Sequence, residues 1–354
     1  MKKFNAKTFY NLFFGFIILA ILAKVYQYTM MKAYSFGIMT RLLNWLYTDI
    51  IPIDNSYAFP LKIYRYIRFL GFSTNLEWSI FLTIIMNFIF LVLVINHKDK
   101  YSTEEFIFIF ASMFILDVFV FNMNKDLIQC LVLLIVYAIM KNKKLKNPVK
   151  VCMVALLFIW ESTCFRPYYI LIGGLLVLNY FTLGKIISSR SKITKKKVIF
   201  SIIITLIIMF TGIFVMQFVV PDSYNQLVHR RDNLENDIDA NTVILDWIKG
   251  DNFITYCLNY CINFVRICIP IELVFKGKFY IIFVVYQLYL TWNLIKGIKN
   301  IDKKTLCYKA FILAYWMTLV ASESDFGTLV RHQSILFMCY LMLVKDNKDA
   351  EKKC

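Results

Sequence analysis

Proline and glycine are scarce in this chain, 6 and 11 of 354 residues, and long polar tracts are rarer still. A shortage of helix breakers argues against a transporter of paired repeats with Gly- or Pro-broken spans at the bilayer midplane. There is no internal repeat, low-complexity linker or second soluble domain, so residues 1–354 read as a single membrane domain. An HExxH pair, a CxxC pair, a P-loop and a dinucleotide fingerprint are also missing, and no zinc, nucleotide or redox cofactor is expected. The nine cysteines lie mostly within apolar runs. Cys257 and Cys261, four apart on a predicted helix, have poor geometry for pairing, and all nine read as free thiols.

What the chain does contain is apolar sequence: 59% of residues are hydrophobic and 17% aromatic. Repeated apolar runs of about 17 or more residues define an all-α, polytopic integral membrane protein. The first run, FYNLFFGFIILAILAKVYQYTM, is long for a secretory segment and has no small-x-small cleavage site, so it reads as a retained span. Lys24 falls inside it, with a stem long enough to snorkel toward the interface. Further spans are predicted near 78–96, 105–121, 126–140, 149–162, 167–183, 198–220, 279–295, 307–322 and 328–344, about ten in all. The basic connections KNKKLKNPVK, GKIISSRSKITKKK and KGIKNIDKK then share one side, which the positive-inside rule makes cytoplasmic.

This arrangement places both termini in the cytoplasm of a multi-pass protein, and the abundance of Lys, Asn, Ile and Phe suggests a low-GC bacterium, whose cytoplasmic (inner) membrane is then the expected location. The net charge of +17 belongs mainly to inner loops and is no sign of nucleic acid. The apolar stretch 252–278 is left out of the span count, because a full crossing there would invert every later loop. Arg266, Pro270 and Glu272 interrupt it, and it reads as an amphipathic or re-entrant helix at the outer face. Segments 31–77 and 221–278 together form the outer-face layer, with Arg65 and Arg68 spaced for a helix lying in the interface.

The same parity brings ionisable groups to the outer ends of spans. ESDFGTLVRHQS carries Glu323, Asp325, Arg331 and His332; FNMNKDLIQ carries Lys125 and Asp126; ESTCFRPYY carries Arg166. Arg230 and Arg231 lie in the outer loop, and Arg266 in the re-entrant segment. A charge at mid-bilayer costs about 2.5–3.5 kcal/mol on insertion scales, so such groups persist where they face protein or water. Arginine's rigid donor fork matches phosphate oxygens and stays charged. His332, Glu323 or Asp325 has the chemistry of a general base. The expected substrate is a glycan on a lipid pyrophosphate: Arg331, Arg166, Arg266, Lys125, Arg230 and Arg231 as pyrophosphate contacts, no metal, and a base acting on an acceptor hydroxyl.

The pattern EsDFGtlvRHqsilF (Glu323, Asp325, Phe326, Gly327, Arg331, His332, Phe337), the NKD at the head of one span and FRPYY at the head of another resemble the EpsG/Wzy-type bacterial polysaccharide polymerases. The resemblance implies a glycosyltransferase of the GT-C kind, joining undecaprenyl-pyrophosphate-linked repeat units into O-antigen, capsule or exopolysaccharide. It implies donor and acceptor lipid-linked oligosaccharides as partners, together with a chain-length regulator. The sequence departs from the pattern after the RH pair, where QSILFMCYL replaces a proline-rich exit.

Simpler readings stand beside each residue. Arg331 and His332 also suit headgroup anchors, Arg166 before Pro167 an interface anchor, and Lys125 and Asp126 a mutual pair. Asp325 suits a helix cap or a partner orienting Arg331, and Gly327 a turn or a close approach. Arg230 and Arg231 suit a solvated loop, while Arg266 has only Glu272 nearby to neutralise it. A lipid-linked oligosaccharide flippase and a membrane acyltransferase acting on exported glycan are the competing functions.

Overall fold

The structure is a computed structural model that describes residues 3–4, 6–30, 37–48, 50–52, 54–95, 101–188, 195–228, 242–250, 252–323 and 325–352. Almost every apolar run becomes a helix. In order these are α1 (Ala6–Met30), α2 (Gly37–Thr48), α3 (Asn55–Tyr66), α4 (Asn75–Ile95), α5 (Thr103–Phe119), α6 (Lys125–Lys141), α7 (Asn147–Cys164) and α8 (Ile170–Ser188). They continue with α9 (Lys195–Val219), α10 (Pro221–Val228), α11 (Phe253–Cys268), α12 (Glu272–Lys276), α13 (Ile281–Lys299), α14 (Leu306–Ser322), α15 (Phe326–Ile335) and α16 (Phe337–Glu351). The strands described are two short pieces, β1 (Lys3–Phe4) and β2 (Tyr101–Ser102), paired antiparallel.

Among the described residues five helical segments are long and apolar enough to cross a membrane, Thr8–Met30, Asn75–Ile95, Pro167–Ile187, Lys196–Val219 and Ile281–Lys299, and a sixth if the bent pair Phe326–Ile335 and Phe337–Glu351 is one span. Large side chains on these segments, among them Phe14, Leu19, Phe88 and Phe200, are exposed. An apolar surface of that extent is unsuited to water and matches lipid. The chain is a helical, multi-pass membrane protein. The expected spans near 105–121, 126–140 and 149–162 form α5, α6 and α7, of 17, 17 and 18 residues.

The last expected span, 328–344, is not straight. Helices α15 and α16 meet at Leu336 with a 70° bend, and no proline or glycine stands there. Segment 252–278 forms the 16-residue α11, shorter than a span, and ends at Ile269 before Pro270, whose ring cannot continue the helix.

Two compact units are present. One comprises Met1–Ile135, Cys164–Arg166 and Ser334–Leu341; the other comprises Val136–Thr163, Pro167–Gln333 and Met342–Cys354. In the first unit α1 packs on α4 and α5. Phe9 stacks on Tyr101 at 4.9 Å and meets Phe13 at 5.8 Å, while Phe106 and Phe110 close the group at 4.4 Å. The start of α5 is fixed by a reciprocal cap in which Ser102 and Glu105 each accept the other's backbone N–H. Arg65 donates to the carbonyls of Trp45 and Ile50 at 3.2 and 3.1 Å, tying α3 to the end of α2. Lys24 does not snorkel: it is buried and donates to Asn122 Oδ1 at 2.6 Å. A polar acceptor within reach is a cheaper solution for the ammonium than a stretch along α1.

In the second unit α14 is the central helix, buried along its whole length, with α8 laid against it and α9 against α8. Small residues let helices approach closely in lipid, and Gly173 is such a place: a Cβ there would lie 3.1 Å from the backbone oxygen of Ala155 on α7. Next to it, Gly174 faces open space. Gly173→Val should therefore lower the melting temperature in detergent well below that of Gly174→Val, with an overpacking cost of about 1–3 kcal/mol. Equal melting temperatures for the two variants would show that α7 and α8 do not meet there.

Candidate functional site

In the first unit the NKD triplet at the head of α6 divides its labour. Asn124 is the helix cap, accepting the Leu127 N–H at 3.0 Å. Asp126 accepts from Arg166 Nη2 at 3.2 Å, with both side chains buried. Lys125 lies 4.5 Å above the Tyr57 ring and donates to its hydroxyl at 3.3 Å. Thus Lys125 and Asp126 each have a partner brought from elsewhere in the chain. Tyr64 braces the turn, donating to Asn124 O at 2.9 Å.

Tyr57 is the hub of this cluster. Burial raises its phenol above the ordinary range; Asp54 and Asp126 push the same way, while Arg166 and Arg41 oppose them. Three cations, Arg41, Lys125 and Arg166, thus stand against two carboxylates around one tyrosine. The excess cation and the arginine fork suit an oxyanion.

In the second unit, the loop between α14 and α15 and the first turns of α15 carry the other group. His332 Nδ1 lies 2.9 Å from Glu323 Oε1, with the residues 1% and 2% exposed. A carboxylate on one ring nitrogen sets the tautomer and the orientation of the ring. Arg331 precedes the histidine and is half-buried. Asp325 has a different task. It accepts the Thr328 N–H at 2.8 Å and the Thr328 hydroxyl at 3.1 Å, which makes it the cap of α15. Its other oxygen accepts from the Thr242 hydroxyl. Gly327 serves this crowding, since a Cβ there would lie 3.1 Å from Asp325 Oδ2.

Arg266 is fully engaged in holding the same unit together. It forms two parallel bonds of 2.9 Å to Glu272 across the Pro270 break and donates to Asn263 Oδ1 at 2.6 Å and Leu245 O at 2.5 Å. Four of its five donors are therefore committed. Residues 242–248 are strapped along α11 by these contacts and by Asn259, which bonds both backbone atoms of Ile248 at 2.8 and 3.1 Å. At its other end the strap reaches α15, where Thr242 O accepts the Phe326 N–H at 2.9 Å.

Arg230 and Arg231 lie outside the described residues. Among the described residues no three His, Cys, Asp or Glu side chains converge as metal ligands would, and the eight described cysteines are not joined in disulfides. Sequence reasoning missed Tyr57, Arg41, Asp54 and Thr242. Asp54 had a local signal, since Asp-Asn-Ser before a helix is a cap pattern; Thr242 had none.

Fold and clusters define a multi-pass helical membrane protein with buried ionisable groups at helix ends. No protein-family model matches the chain, and neither a curated protein nor a solved structure matches it.

Removing one member of a buried ion pair leaves the other charge uncompensated, at a cost of about 3–5 kcal/mol. Asp126→Ala should lower the melting temperature sharply, and Asp126→Ala with Arg166→Leu should recover much of the loss. A double variant as unstable as the sum of the singles would mean that the pair is not coupled.

Proposed function

We propose that the protein is a glycosyltransferase of the polysaccharide-polymerase type. It transfers lipid pyrophosphate-linked repeat units onto one another at the outer face of the bacterial cytoplasmic membrane. The observation that carries the reading is the buried His332–Glu323 pair, 2.9 Å apart, with the glutamate just before α15 and the histidine in its last turn beside Arg331. A histidine held by a carboxylate is equipped to take a proton from an acceptor hydroxyl. The neighbouring guanidinium offers charge to a phosphate that departs as the glycosidic bond to the carrier breaks. Energy for the transfer comes from the glycosyl pyrophosphate itself.

Topology supports the outer location. With α1, α4–α9, α13, α14 and the bent α15–α16 pair as ten spans, the heads of α6 and α15 and the turn holding Arg166 all fall on the side opposite the basic loops. Glu323 orients His332, Asp325 positions it by capping α15, and Arg266 holds the strap above α11. The Arg166–Asp126–Tyr57 cluster of the first unit supplies a second oxyanion-binding group.

The test is a deletion strain complemented with Arg331→Ala or His332→Gln, read as surface glycan on a gel. Single repeat units should replace the ladder, and transfer with purified lipid-linked repeat units should fall by about 10²–10⁴ in His332→Gln, the usual worth of a general base. A normal ladder from both variants overturns the proposal. Repeat units that accumulate without reaching the outer leaflet would favour a flippase.

A further inference from the structure

The first unit holds a second polar place, within the spans α1 and α5. A cavity of ≈ 370 Å³ lies between α1 and α5, lined by Phe16, Leu19, Ala20, Ala23, Lys24, Gln27, Phe114, Asp117 and Val118. Of these, Lys24 and Asp117 are the two ions, 1% and 2% exposed. Neutral amides hold one side of each: Lys24 Nζ donates to Asn122 Oδ1 at 2.6 Å, and Asn87 Nδ2 donates to Asp117 Oδ1 at 2.7 Å. Asp117 Oδ2 is buried with no hydrogen-bond partner among the described residues. An ammonium has three donors, so both ions have bonding capacity to spare beside the same space. Ionisable groups inside a span are costly, and where they occur they mark sites.

We infer that this cavity binds the hydroxylated headgroup of an uncharged lipid, of the diacylglycerol class, entering sideways from the bilayer. A hydroxyl accepts from Lys24 and donates to Asp117 Oδ2, which gives the carboxylate oxygen its missing donor and the ammonium a second acceptor. Because the two ions are of opposite sign, a charged headgroup meets repulsion from one of them, whereas a neutral hydroxyl does not. The rest of the wall is apolar apart from Gln27, matching a hydrocarbon chain. Leu19 and Phe114, on that wall, are 64% and 53% exposed, so the cavity opens on the lipid-facing surface. Its volume falls at the lower end of small-molecule pockets, about 300–1,000 Å³, and far exceeds the roughly 30 Å³ share of one water. Lys24 lies six residues before the end of α1 and Asp117 two before the end of α5, about 9 and 3 Å along each helix at 1.5 Å per residue.

The experiment uses the full-length protein in phosphatidylcholine nanodiscs containing a diazirine-bearing dioleoylglycerol, with adducts mapped by mass spectrometry. Adducts should concentrate on α1 and α5 and be displaced by dioleoylglycerol but not by dioleoyl phosphatidic acid. Lys24→Met, which removes the donor, and Ala23→Phe, which fills the cavity while keeping both ions, should each reduce labelling about tenfold, the worth of one hydrogen bond to a charged group. Labelling spread evenly over the lipid-facing helices overturns the inference, as does unchanged labelling in Ala23→Phe. Equal displacement by phosphatidic acid would make the site one for anionic lipids and overturn it too. Should Lys24→Met fail to fold, Ala23→Phe decides alone.

Discussion

An ion removed from water needs an opposite charge or a set of fixed dipoles, and that requirement organises this protein. Arg166 meets Asp126, Arg266 meets Glu272, and Lys309 meets Asp346 at 2.5 Å while also donating to Asn300 O. The pairs are placed near helix ends, where uncapped N–H and C=O groups add their dipoles. Arg166 and Asp126 are both buried, whereas Glu272 and Asp346 keep 33% and 29% of their side-chain surface exposed; a fully buried pair roughly breaks even against apolar packing of the same volume. Their value lies in fixing geometry: Arg166–Asp126 and Lys309–Asp346 join helices far apart in the chain, and Arg266–Glu272 bridges the Pro270 break between neighbouring helices.

That requirement also separates what was legible in the sequence from what was not. Apolar runs located the helices closely; the expected span 78–96 is α4, Asn75–Ile95, because the cost of exposing backbone in lipid leaves a helix as the sole local solution. Caps were legible in the same way: Asp325 at the head of α15 has Thr328 three residues on. The 70° bend at Leu336 had no proline or glycine to announce it. The inward turn of Lys24 was also hidden, because α1 is apolar all round and its periodicity assigns no inner face.

Among the candidate site residues, local sequence reported residue types and tertiary structure decided the partners. Asp126 and Arg166 are 40 positions apart and Asp325 and Thr242 are 83 apart. No spacing rule covers such distances, so a pairing of Lys125 with its neighbour Asp126 was as plausible from sequence as the pairing with Arg166. Glu323 and His332, nine apart, were near enough for the motif to bring them together.

The strap of residues 242–248 shows what kind of anchor this chain favours. Arg266 holds the carbonyl of Leu245, Asn259 holds both main-chain atoms of Ile248, and Arg65 holds the carbonyls of Trp45 and Ile50. Main-chain groups are common to all residues, so these anchors hold positions 45, 50, 245 and 248 without reading their side chains. The record of ancestry in these layers is therefore written in a few asparagines and arginines, and a search for distant kin gains most by weighting them.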